Sequence, residues 1–98
     1  MWVGAIEFDL LLGDVHSLKQ KRSVVRPVVA ELRRRFEVSA AEAGHLDLHR
    51  RAGIAAAVVA ADRRHVVEVL DTVEQRVAYH PEVELLSARR LIRSSEDD

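Results

Sequence analysis

The chain is 98 residues long and 48% hydrophobic, with 15 Lys and Arg against 16 Asp and Glu for a net charge of −1. That length holds one domain with one modest core, and the balance of charge excludes a protein that is basic as a whole, so any affinity for nucleic acid has to come from local clustering. There is no cysteine, which excludes disulfides and thiolate metal sites, and no apolar run is long enough to span a bilayer.

Trp2 to Leu12 alternates as a strand does. Trp2, Ile6, Phe8, Leu10 and Leu12 share one face, and Val3, Ala5, Glu7, Asp9 and Leu11 share the other. The segment carries two acids and no basic leader, so no signal peptide is expected and the cytoplasm is the expected location. Gly13-Asp14 signals a turn.

Ser17 to about Glu37 reads as a helix. Ser17 and Gln20 have capping-box spacing, with the serine accepting from the amide three residues on and the glutamine reaching back to the cap amide. The helix opens with Lys19, Lys21 and Arg22, against the preference of a helix N-terminus for acids. Leu18, Val25, Val29, Leu32 and Phe36 form an apolar stripe. Pro27 lies inside it, where proline removes a backbone bond and crowds the preceding turn. Either the helix kinks there, or a looser lead-in precedes a helix that starts at Pro27. The phase of Leu18 favours the kinked helix.

Val38 to Ala43 is a short strand of small residues, and Gly44 to Arg50 a polar connection. Arg51 to Ala61 is apolar almost throughout, as in a central strand covered on both faces. Either register presents small residues to the outer face. Asp62 caps a second helix that runs to about Tyr79 with a Val66, Val69, Leu70, Val73, Val77 stripe. His80-Pro81 ends it. Val83 to Ile92 is the last strand. Residues 1–93 are expected to form the domain, and 94–98 a frayed acidic tail.

The order strand, helix, strand, strand, helix, strand predicts an α+β ferredoxin-like βαββαβ sandwich: an antiparallel four-stranded sheet with both helices on one face and the first and third strands central. Nearly all the cations are arginine and asparagine is absent, a bias expected of a heat-adapted source or of a GC-rich genome.

Three features carry chemistry. At about 100° per residue, Lys19, Arg22, Arg26 and Arg33 fall within about 60° of one another on the first helix, with Lys21 near its start. A basic stripe of this kind neutralises phosphates. The alternative is a solvated face whose arginines pair with Glu31, Glu37 or acids of the second helix. The second feature is the uncovered sheet face of Val3, Ala5, Glu7, Asp9 and Leu11, which needs a cover. The simplest cover is a second copy of the chain, with Glu7 and Asp9 meeting partner arginines such as Arg89 or Arg51. Few aromatics and two acids speak against base stacking on that face. The third is His45-Leu46-Asp47-Leu48-His49. Extended, it would place His45, Asp47 and His49 on one face as weak metal-ligand candidates. The alternative is a hairpin with its polar residues outward, and no metal or other cofactor is expected.

No nucleophile motif surrounds Ser17, Ser23 or Ser39, and the glycines are too scattered to cradle a phosphate. The expectation is therefore a non-catalytic binding protein. Its partners would be a second copy through the sheet face and RNA or a ribosomal subunit through the basic flank, with no membrane. A homodimeric small-ligand or regulatory module is the alternative.

The first strand followed by Ser17-Leu18-Lys19-x-Lys21-Arg22, then Phe36-Glu37-Val38-Ser39 with Ala41-Glu42, then Asp47 and Arg51-Ala52 before an apolar strand, resembles the YlxP-like family of small bacterial proteins (domain of unknown function 503). The likeness covers nearly the whole chain. It implies a ferredoxin-like fold and, from genes found among those for translation and ribosome maturation, an association with RNA or ribosomes. Its signature positions here are Ser17, Leu18, Lys19, Lys21, Arg22, Phe36, Glu42, Asp47 and Arg51, with no catalytic residue to carry over. Pro27 and His49 depart from its pattern, His49 standing where tryptophan is common.

Overall fold

The computed structural model describes residues 1–96. Trp2–Leu12 forms β1, Leu18–Phe36 α1, Ser39–Glu42 β2, Arg51–Ala60 β3, Arg63–Ala78 α2 and Val83–Ser94 β4. The strands make one antiparallel sheet in the order β2-β3-β1-β4. This is the ferredoxin-like arrangement, with β1 and β3 in the centre.

The period-two pattern of β1 sets the layers. Ile6, Phe8, Leu10 and Leu12 are buried beneath the helices, whereas Glu7 between them is exposed. Pairing of Phe8 with Ile54 and of Ile6 with Ala56 settles the register of β3. Ala52, Ile54, Ala56 and Val58 join the core, and Arg51, Gly53, Ala55, Ala57 and Val59 lie on the outer face. Val66, Leu70, Val73 and Val77 of α2 meet Val25, Val28, Val29 and Leu32 of α1 in the same core. At Gly4 a Cβ would overlap Val66 Cγ1 and come within 3.1 Å of Leu70 Cδ1. The missing side chain lets α2 sit close on β1.

α1 runs unbroken through Pro27. Pro27 and Ser23, four residues before it, are both exposed, so the carbonyl that loses its amide partner stays in water and the cost is reduced. Ser17 caps the helix, accepting from the Gln20 amide at 3.1 Å. Gln20 reaches one residue further back than expected: its Oε1 accepts from the His16 amide at 2.6 Å. The apolar stripe also differs from expectation. Leu18 is 41% exposed, and Lys21 is buried among Val25, Val28, Val29 and Leu32. Lys21 lies one turn before Val25 and two before Val28, inside the buried arc.

β2 is shorter than expected by a residue at each end, and β4 extends to Ser94. Beyond β4, the Ser95 amide donates to Met1 O at 2.8 Å and the chain's first amino group to Ser95 Oγ at 3.0 Å. Ser94 and Ser95 are thus held against the start of β1 rather than frayed. The rest of the expected tail, 97–98, lies outside the described residues. Among the described residues, no helix is long and apolar enough to cross a membrane.

Candidate functional site

The basic flank of α1 forms largely as its spacing demands. Lys19, Arg22 and Arg26 are exposed and, with Ser23 and Pro27, line a shallow surface hollow of about 450 Å³. Among the described residues none of these three cations has an ion pair. The acid of α1, Glu31, is engaged elsewhere: it receives both Arg76 Nε and, at 3.0 Å, Arg76 Nη2 from α2. Those hydrogen bonds hold the Glu31 carboxyl below its ordinary range, against a partial burial that would raise it. Arg33 stands apart from the three, because its Nε donates to Ala40 O at 2.9 Å on the outward side of β2. It covers a carbonyl of an edge strand.

Lys21 does not belong to this surface. Only 2% of it is exposed, and its Nζ donates to His45 O at 2.6 Å and approaches Glu42 Oε2 at 3.1 Å. A buried ammonium needs such partners, and both come from the end of β2 and the loop after it. The cation placed next to Arg22 in sequence is therefore a tether between α1 and the β2–β3 connection, not a phosphate contact.

That connection is a turn rather than an extended segment. Gly44 has φ 118° and His45 φ 54°, both left-handed, and the Leu48 amide donates to His45 O at 3.1 Å. Ala43 and Gly44 together face Gly53, with bonds from Ala43 N to Gly53 O (2.7 Å) and from Gly53 N to Gly44 O (3.2 Å), a bulge of two residues against one. A Cβ on Gly53 would overlap the Ala43 carbonyl oxygen. The turn separates His45 from Asp47 and His49, so the shared face that an extended segment would give does not form. Among the described residues no three His, Asp or Glu side chains converge as a metal site.

His45 turns instead to the outer sheet face, where its Nε2 lies 3.2 Å from Asp9 Oδ1. Asp9 also takes a two-pronged pair from Arg51, Nε to Oδ1 at 3.2 Å and Nη2 to Oδ2 at 2.5 Å. The Arg51 hydrogen bond holds the Asp9 carboxyl below its usual range, with the charge of Arg51 and then of His45 adding to it and partial burial opposing it. One position along, Arg89 Nη2 meets Glu7 Oε2 at 3.2 Å. Both acids thus meet the two arginines named from sequence, but within one chain. Register alone brings them together, since Glu7 pairs with Arg89 across β1–β4 and Leu11 with Arg51 across β1–β3. Glu7, Asp9, Gly44, His45, Ser87 and Arg89 line a hollow of about 380 Å³. Sequence reasoning had His45 in a different cluster and Ser87 in none. Their meeting depends on a turn and a strand register that leave no local signature.

Val3, Ala5, Glu7, Asp9 and Leu11 do share the outer face. Beside them lie Val59 opposite Val3 and Leu91 opposite Ala5, 64% and 54% exposed. The face is apolar at one end and ion-paired at the other. Among the described residues no Phe, Tyr or Trp ring stands on it, because Trp2 and Phe8 pack with the core on the helix side.

The YlxP-like motif residues divide accordingly. Lys21 and Glu42 form the tether, Arg51 anchors Asp9, and Asp47 remains exposed on the turn. The family profile described as "Protein of unknown function (DUF503)" matches residues 3–90. The uncharacterized protein YlxP of Bacillus subtilis (strain 168) is 29% identical over 82 residues, covering 84% of this chain and 89% of that protein. With the profile spanning most of the sequence and the motif residues in place, the chain belongs to the DUF503 family of proteins of unknown function.

Proposed function

We propose that this chain is a non-catalytic cytoplasmic binding protein that contacts RNA, on a ribosomal subunit, through the basic flank of α1. The observation that carries this reading is the state of Lys19, Arg22 and Arg26: exposed, on one side of a continuous helix, and free of ion pairs among the described residues. Three exposed cations without internal acids favour a polyanion, because each neutralised phosphate releases a counterion. The choice of RNA follows the gene neighbourhood implied by the resemblance to the YlxP-like family.

The test is co-sedimentation with ribosomes at low salt. Wild type should pellet with a subunit and be released as salt rises, and R22E/R26E should stay in the supernatant while keeping the wild-type melting curve. Sedimentation of the folded charge-reversed protein would refute the reading.

A second reading concerns the outer sheet face. Val59 and Leu91 leave apolar surface uncovered beside the ion pairs of Glu7 and Asp9. That surface supports a homodimer through this face, or a small-ligand module built on it. Sedimentation equilibrium decides the dimer: V59E/L91E should run as a monomer where wild type runs as a dimer.

A further inference from the structure

The form of RNA that α1 would take follows from what surrounds its basic flank, and this inference rests on the reading above. Glu31 projects from the side of α1 opposite Arg22, nine residues and about 180° away, and it is Glu31 that meets Arg76 of α2. The flank therefore faces away from α2 and out past β2, where Arg33 reaches the edge carbonyl of Ala40. Its neighbours there are β2 and the turn at 43–50 that Lys21 holds. Neither contains a phenylalanine, tyrosine or tryptophan, and of the two histidines of the turn His45 is turned to Asp9 on the outer sheet face. Trp2 and Phe8 lie on the helix side of the sheet, the ring of Phe36 lies beneath the Arg35 guanidinium at 5.6 Å, and Tyr79 caps α2 on the other side of α1.

Single-stranded RNA is held by stacking its splayed bases on rings, and sequence is read on those same exposed edges. The flank itself carries no aromatic ring, and its hollow is a shallow one that encloses no base. The flank offers charge at fixed intervals: Arg22 and Arg26 stand about 4.5 and 10.5 Å beyond Lys19 along a rigid axis. Fixed intervals suit a backbone that is itself fixed. A flexible strand would lose conformational freedom on such a rod with no stacking to offset the loss. We propose that the α1 flank binds double-helical RNA through its phosphates, without sequence preference.

Three phosphate contacts on a duplex give a slope of about −2.7 in log affinity against log salt, so raising salt from 50 to 200 mM weakens binding about 40-fold. Fluorescence anisotropy tests this with two 20-base-pair RNA duplexes of unrelated sequence, a DNA duplex, and unpaired oligouridine of the same length. The RNA duplexes should bind within two-fold of each other and at least ten-fold more tightly than oligouridine. R22Q/R26Q should bring the slope to about −0.9, one contact remaining. Oligouridine binding as tightly as the duplexes, or a ten-fold preference between them, overturns the inference and leaves the RNA reading standing. Tighter binding to the DNA duplex overturns the choice of RNA. Binding to none of the four, with no ribosome sedimentation, overturns both.

Discussion

Replacing Lys21 with methionine tests whether this cation is a tether or a nucleic-acid contact. Its Nζ serves two acceptors, His45 O at 2.6 Å and Glu42 Oε2 at 3.1 Å, from a side chain that is 2% exposed. Methionine fills a similar volume but donates nothing. The His45 carbonyl would then lack its donor, a loss of about 1–3 kcal/mol. The Glu42 carboxylate would lack its cation, and breaking one side of a buried pair costs about 3–5 kcal/mol. Glu42 keeps a quarter of its side chain in water, which brings the second figure down, and the added apolar packing offsets part of the first. The expected net loss is about 2–3 kcal/mol, or a melting point lower by about 10–20 °C for a domain of this size. K21M/E42Q should recover about 1 kcal/mol, because no uncompensated charge remains. Urea titration of the four proteins closes the cycle. Below the unfolding transition, K21M should bind RNA as wild type does. A K21M protein within 0.5 kcal/mol of wild type, or one that stays fully stable but loses RNA affinity, would refute the tether.

Two further expectations concern the same loop and its outer anchor. Gly53→Ala places a methyl group against the Ala43 carbonyl, and backbone has to move to admit it. The variant should lose about 1–3 kcal/mol in urea titration and show early hydrogen exchange at Ala43 and Gly53. Both Asp9 and Glu31 have carboxyls held below their ordinary values by arginine hydrogen bonds, so their contribution is fully present above about pH 4.5 and is lost as pH falls through the depressed folded values. Thermal melts of wild type should fall steeply over that acid range, and D9N/E31Q should fall less. An identical acid profile for the double variant would show that other groups set it.

Much of the fold was legible because its determinants are local. The alternation of β1, the small apolar run of β3 and the caps at Ser17 and Asp62 each act within a few residues, and each formed. The basic flank was legible for the same reason, since helical spacing alone puts Lys19, Arg22 and Arg26 side by side. Lys21 misled because its burial depends on acceptors 21 and 24 residues away. Leu18, in phase with the stripe, is left exposed because the first turn of α1 has that lysine rather than an apolar residue beneath it. The His45–Asp9–Arg51 cluster was hidden for a related reason: it needs two left-handed residues and a strand register together, and neither can be read from spacing.

The two margins of the sheet are unequal. β2 is four residues long and the outward carbonyl of Ala40 is already engaged by Arg33, whereas β4 runs for twelve. Stepwise polymerisation requires a molecule that can be extended at both ends. At the β2 margin the Arg33 guanidinium takes up an acceptor that an incoming strand would need, so extension of the sheet through that edge is disfavoured.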